Sequence, residues 1–220
     1  MTDAALVEKT IAFIKETLVD AEGGHDWFHT QRVFRNTLLI AKDEDVDVLV
    51  VSLAALLHDV ADAKFHKGDE RIGPKTARKF LKSLGVPKQT VRHVVRIVKH
   101  VSFKNSLSRS KKKRFSSTEL KVVQDADRLD AMGAIGIARA FNFGGFRNRP
   151  LYNPDIPPRP GMSKKEYKRS EGPTINHFYE KLLLLKDGMQ TKTGKRLANE
   201  RHQFMLDYLK QFYKEWNGQT

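Results

Sequence analysis

The 220-residue chain carries 40 Lys and Arg against 26 Asp and Glu, a net charge of +14, with 8 His and no Cys. Hydrophobic residues at 40% and charged residues at 30% fit a globular chain with a large core and exclude a disordered one. Without Cys there is no disulfide framework, thiolate nucleophile or zinc–thiolate site.

Helical spacing dominates from the start. Val7, Ile11, Ile14 and Leu18 step by four, three and four, the pattern of one buried helix face. Gly23-Gly24 closes that segment, and a second helical run spans about His29 to Ala41. A third, Val46 to His58, is apolar on nearly every side and belongs in the core. Its apolar run from Val48 to Leu57 is half of what a membrane span needs, so no membrane partner is expected. Pro74 suits the first turn of a fourth helix ending near Gly85, and Pro87 opens a fifth with Val91, Val94, Val98 and Val101 on one face. The β-branched content of that stretch admits a strand, but the spacing and length favour helix. A polar basic loop follows over Lys104 to Ser117, then a helical pattern from Thr118 to Phe143. Between Gly144 and Pro173 six of the 8 prolines break the pattern. Two more helices are expected at Ile175–Asp187 and Leu197–Trp216. With no internal repeat and no clean boundary, the expectation is a single all-α domain over residues 1–220. It has eight or nine helices and a long irregular insertion at about 144–173.

Four segments concentrate side chains that bind metals or move protons. They are Gly24-His25-Asp26-Trp27-Phe28-His29, Leu56-Leu57-His58-Asp59-Val60-Ala61-Asp62, Ile97-Val98-Lys99-His100 and Gln124-Asp125-Ala126-Asp127-Arg128-Leu129-Asp130. His58 and Asp59 close the most apolar helix, where such a pair is costly unless paired or bound to a cation. Adjacent helical residues point about 100° apart, so they can converge only on something held between helices. Any one of these pieces alone reads as an ordinary helix end or surface group. Together, His29, His58, Asp59 and Asp127 supply two imidazoles and two carboxylates, a donor set suited to a hard or borderline divalent metal with positions left for water and phosphate oxygen.

The ordered set His29, His58-Asp59, Asp127 resembles the HD-domain superfamily of metal-dependent phosphohydrolases, an all-helical fold. The similarity is closer to a subgroup of small bacterial HD proteins. It runs through His25-Asp26-x-x-His29-x-x-Arg32-Val33, Ala55-Leu56-Leu57-His58-Asp59-Val60-Ala61-Asp62-x-Lys64-Phe65 and Asp125-Ala126-Asp127-Arg128-Leu129-Asp130-Ala131-Met132-Gly133-Ala134-Ile135-Gly136. It continues in Arg139-Ala140-Phe141 and Asn176-His177-Phe178-Tyr179-Glu180-Lys181-Leu182. The resemblance implies a single HD-domain helical bundle in which His29, His58, Asp59 and Asp127 ligate one divalent metal. Manganese is favoured, with magnesium, iron, nickel or cobalt as alternatives. It also implies hydrolysis of (deoxy)nucleoside triphosphates to monophosphate and pyrophosphate, although other HD branches cleave phosphomonoesters, cyclic nucleotides or guanosine alarmones.

Further roles follow from the chemistry. Asp62, about a turn beyond Asp59, could orient or deprotonate a water, or simply pair with Lys64 at a helix end. Lys64 is a candidate phosphate contact or a solvated surface lysine. Asp26 reads best as the N-cap of the helix bearing His29, with His25 beside it as a candidate substrate contact. His100 could donate to a phosphate or leaving group, or be a buried, satisfied histidine. Arg128 and Asp130 read as a supporting ion pair. His177 and Lys181, four apart on one helix face, look by resemblance like a wall of the nucleotide site, with surface exposure the competing reading. Arg147, Arg149 and Arg159 in the proline-rich stretch could close over a triphosphate as a lid, or sit on a mobile surface loop. Ser110-Lys-Lys-Lys-Arg114 is assigned no role.

The competing functions are a phosphomonoesterase acting on nucleoside monophosphates and a non-catalytic basic module binding nucleic acid. The basic surplus attracts polyanions in general. Few aromatics interleave the basic residues and no nucleic-acid motif is present, so a nucleotide is the expected partner rather than nucleic acid. A homodimer is admitted. Asp3 and Glu8 near the first residue, with no basic stretch leading into an apolar one, argue against a secretory signal, and a cytoplasmic protein is the default expectation.

Overall fold

The structure, a computed structural model, describes residues 1–19, 26–61, 69, 71–101, 115–163, 166 and 169–219. Among these, every regular element is helical. Two units are distinguished, Met1–Asp127 and Arg128–Thr220.

In the first unit α1 (Asp3–Thr17), α2 (Trp27–Ala41), α3 (Val48–Leu57), α4 (Ile72–Ser83) and α5 (Lys88–His100) precede α6 (Thr118–Asp130), which continues past the boundary. α3 is the centre. Asp47 caps it by accepting from Val50 N at 3.0 Å, and every residue from Val50 to Leu57 is buried. It packs against α1, α2 and α5, while α4 packs on α5. The buried face of α1 is Leu6, Thr10 and Ile14, with Val7, Ile11 and Leu18 half-buried beside it. A threonine takes the core position because its Oγ1 donates to Leu6 O at 2.7 Å and so brings no unpaired hydroxyl inside. Val91, Val94, Val98 and Val101 are buried together as the spacing predicted, and the segment is helix rather than strand. Pro74 lies in the first turn of α4. That helix ends in a Schellman turn, with Gly85 at φ 71°, Gly85 N on Lys82 O at 3.1 Å and Val86 N on Leu81 O at 3.2 Å.

The second unit holds the end of α6, α7 (Gly133–Phe146), α8 (Thr174–Glu180), a 3-10 segment (Leu182–Gly188) and α9 (Lys192–Trp216). The helical stretch expected from Thr118 to Phe143 is two helices that part at Gly133, whose φ of 67° breaks the run. α7 then runs through Gly144 and Gly145 to Phe146, beyond the expected break, because the bare Gly144 fits against the Thr174 side chain. The single helix expected over Ile175–Asp187 divides at Lys181, which leaves helical geometry at φ −147°, ψ −55°. α9 starts at Lys192 rather than Leu197, since Thr191 Oγ1 accepts from Gly194 N at 2.9 Å and caps a polar first turn with no apolar stripe to reveal it.

In the proline-rich stretch between α7 and α8, the described residues make several specific hydrogen bonds. Ser163 and Glu166 form a reciprocal capping box, Ser163 N to Glu166 Oε2 at 2.8 Å and Glu166 N to Ser163 Oγ at 3.3 Å, and Glu166 and Arg169 are helical. Thr174 N and Ile175 N donate to Pro150 O and Leu151 O at 2.9 and 3.0 Å. Asn176 Nδ2 donates to Ile156 O at 2.9 Å, and Arg159 N to Glu180 Oε1 at 3.0 Å. Two main-chain bonds, one from a side-chain amide and one to a side-chain carboxylate therefore tie the described part of this segment to α8.

Candidate metal centre

Three helix ends supply the donors in the first unit. Asp26 caps α2, and its Oδ1 accepts from His29 N at 2.8 Å, so the cap fixes the backbone of the donor residue itself. His29 is 1% exposed in the first turn of α2. His58 is the C-cap of α3, 7% exposed, and Asp59 follows in the turn. Asp127 lies near the end of α6, where Asn36 Nδ2 of α2 reaches the adjacent Ala126 O at 3.4 Å.

These side chains converge. His29 Nε2 and His58 Nε2 stand 3.2 Å apart. Asp59 Oδ2 lies 3.7 Å from His29 Nε2 and 3.5 Å from His58 Nε2, and Asp127 Oδ1 lies 3.7 and 4.0 Å from the same two nitrogens. His29, His58 and Asp59 offer ligand atoms all within 4.8 Å of one another. Donors bound at 2.0–2.2 Å to one ion stand about 3 Å apart across a right angle and about 4 Å across the ion, which brackets these separations.

The hydrogen bonding points the same way. His58 Nδ1 lies 2.7 Å from Ala55 O, a pure acceptor, so Nδ1 carries the proton and the lone pair sits on Nε2, facing His29. A buried nitrogen lone pair beside a second imidazole nitrogen and two carboxylate oxygens calls for a cation, and two carboxylates neutralise a divalent one. The donor set therefore fits a divalent metal. The imidazoles form a buried floor while the Asp59 and Asp127 side chains keep 22% and 34% exposure, leaving one side of the cluster open to water or substrate.

Residues 27–132 match the HD domain family. The chain is 37% identical over 218 residues to YpgQ of Bacillus subtilis, covering 99% of this chain and 97% of YpgQ. It belongs to the HD-domain superfamily of metal-dependent phosphohydrolases. A crystal structure of an HD-superfamily hydrolase from Bacillus thuringiensis superposes on this HD chain with a TM-score of 0.79 at 41% identity, covering 99% of this chain and 100% of that one. The crystal structure of YpgQ in complex with ADP superposes with a TM-score of 0.76 at 35% identity, over 98% and 97% of the two chains.

Other predicted site residues fall in different places. His25, Asp62, Lys64 and the 110–114 basic run lie outside the described residues. His100 ends α5, half-buried, its ring 5.8 Å from that of Phe115, and partial burial, Lys99 and Arg96 lower its proton affinity. At neutral pH it is a neutral imidazole that can donate a hydrogen bond. His177, on α8 in the second unit, is pushed down to about 3 by burial first and then by Lys181 and Arg149. Although it retains some exposure, it stays uncharged in a cationic setting. Lys181 sits just past the end of α8, its N bonded to His177 O at 3.0 Å. Arg149 donates to Ser170 O and lies over the Phe143 ring, and Arg159 Nη2 reaches Ser170 Oγ at 3.3 Å, so both arginines help hold the proline-rich segment.

Asp130 forms an ion pair at 2.6 Å with Arg139 of α7, a partner the sequence reading did not assign to it. Arg201 of α9, which no motif in the sequence marks, donates from its guanidinium to Leu129 O. The two positions are 72 apart in sequence, so no local pattern announces the contact. Among the described residues no helix is long and apolar enough to cross a membrane.

Proposed function

We propose that this HD chain hydrolyses nucleotides, splitting (deoxy)nucleoside triphosphates into monophosphate and pyrophosphate, with His29, His58, Asp59 and Asp127 as the ligands of one divalent ion. The observation that carries the reading is the 3.2 Å approach of two imidazole nitrogens with two carboxylates beside them. The ADP complex of YpgQ supports a nucleotide as the substrate class. Mn²⁺ is the favoured ion, and at this centre it would supply Lewis acidity toward a phosphoryl oxygen and acidify a nearby water.

The chain's own residues do the remaining work. Ala55 O holds His58 in the tautomer that presents Nε2. Asp62 is assigned the orientation of the attacking water, Lys64 and His25 contacts to phosphate, and His100 a hydrogen bond to the phosphate or leaving group through its neutral N–H. His177 and Lys181 are assigned to substrate binding, Lys181 by charge and the uncharged His177 by hydrogen bonding to a sugar or base.

The test is a panel of ribo- and deoxynucleoside triphosphates with Mn²⁺, the products identified by ³¹P NMR, run beside Asp59→Ala. Monophosphate plus pyrophosphate, lost in the variant, is the expected result. Orthophosphate released from monophosphates would move the chain to the phosphomonoesterase branch. A folded, Mn²⁺-loaded protein that turns over no nucleotide would overturn the reading.

A further inference from the structure

The last turn of α6 carries Asp127 and ends at Asp130. A helix leaves its final four carbonyls without intrahelical partners, here those of residues 127–130. Ala131 N takes Arg128 O at 3.0 Å and Met132 N takes Leu129 O at 3.1 Å. Two arginines from later in the chain add to this. Arg201 Nη1 donates to Leu129 O, and Arg139 Nη1 donates to Asp130 O at 3.1 Å and to its carboxylate Oδ2 at 2.6 Å. Asp130 is 1% exposed, so a buried carboxylate at the negative end of a helix is offset by guanidinium charge. Gly133 makes room: a Cβ there would lie 3.1 Å from Arg201 Cγ.

We propose that Arg139 and Arg201 are positioning residues for the metal centre. By gripping both the main chain and the buried carboxylate of this turn, they set its rotation about the helix axis and hence the direction in which Asp127 points toward His29 and His58. The proposal rests on the ligand assignment above. A side-chain carboxylate stands about 5 Å from its helix axis, so a twist of about 10° carries it about 1 Å. That is several times the roughly 0.2 Å over which metal–ligand distances hold. Both arginines lie beyond the segment 27–132 that matches the HD family, so the aim of one donor is set from outside the matched region.

The experiment measures Mn²⁺ affinity directly, by loss of the free-ion EPR signal on the full chain, with thermal melts on the same samples. Arg139→Gln and Arg201→Gln are each expected to weaken Mn²⁺ binding about tenfold. Arg139→Lys, which keeps the charge but not the paired donors, should recover part of that. Gly133→Ala presses on the Arg201 stem and strains the turn at φ 67° while keeping both guanidinium groups, so it serves where loss of a guanidinium prevents folding, and it should weaken binding by a smaller factor. Variants that melt at lower temperature yet bind Mn²⁺ as tightly as wild type overturn the proposal, leaving the arginines a purely structural role. Failure of the ligand assignment looks different: wild type then binds no Mn²⁺, or Asp127→Asn binds it unchanged, and the proposal falls with it.

Discussion

On the proposed ligand assignment, adding Mn²⁺ to the metal-free chain would place a positive ion among two imidazole nitrogens 3.2 Å apart and two carboxylates whose oxygens stand 3.5–4.0 Å from those nitrogens. That arrangement exists only in the fold, so binding is linked to stability. At a free ion concentration a hundred times the dissociation constant the gain is about 2.7 kcal/mol. With an unfolding entropy of about 2.1 cal/mol/K per residue, this raises the melting temperature by about 6 °C if all 220 residues melt together. If residues 1–127 melt on their own, the same free energy gives about 10 °C, because it is spread over a smaller transition.

Differential scanning calorimetry with and without Mn²⁺, beside Asp59→Asn, checks this. If losing that donor weakens affinity about a hundredfold, as severe as the larger outer-shell losses, only about 0.4 kcal/mol and 1 °C remain at the same ion concentration. A variant that keeps the full wild-type shift would show that the ion binds elsewhere and refute the assignment of Asp59. The size of the wild-type shift also reports whether the two units unfold in one step, a quantity that contacts alone do not determine.

Two further outcomes are expected. His177 stays neutral in the fold down to about pH 3, whereas its ordinary value is 6.5, so the unfolded chain binds a proton that the folded chain refuses. Its contribution to stability is complete above pH 6.5 and is lost as the pH falls toward 3, by at most about 1 kcal/mol per pH unit; urea titrations from pH 7 to 4 should show a shallower decline in His177→Asn, and equal slopes would remove the cause. Gly144→Ala drives a methyl into Thr174, whose buried Oγ1 has no hydrogen-bond partner, and should cost about 1–3 kcal/mol. Gly145→Ala, with nothing within 4 Å of its Cβ, should instead stabilise α7 by about 0.4–1 kcal/mol, and like effects at the two positions would contradict the packing.

The candidate donors stand out in the sequence for a physical reason. His58 and Asp59 stand out because α3 is otherwise apolar, and Asp26 is readable as a cap because capping is local. What remained hidden was either long-range or polar. Gly133 disappears into a helical pattern because a single glycine is tolerated in one, and only the fold shows its φ of 67°. The start of α9 is hidden because its first turn is Lys192-Thr-Gly-Lys-Arg196, with no apolar spacing to detect. Two of the staples on the proline-rich segment run from backbone N–H groups to carbonyls, which side-chain pattern does not encode, and the others join residues about 20 apart. The Asp130–Arg139 pair and the Arg201 contact depend on how helices pack, and neither follows from spacing.

All four proposed donors sit at helix ends, and that placement is what a metal centre would require of a mostly apolar core. A helix interior spends its backbone groups on itself and offers its side chains along a fixed spiral, so donors from one helix rarely converge. Helix ends leave N–H and C=O groups to be used by side chains, which lets a cap orient a ligand. Each end here uses a different device: the Asp26 carboxylate holds His29 N, Ala55 O holds His58 Nδ1, and Arg139 and Arg201 hold the carbonyls that follow Asp127. Losing any one of them should therefore loosen a single donor while leaving the other three in place, so their effects on Mn²⁺ affinity should be graded rather than all-or-none.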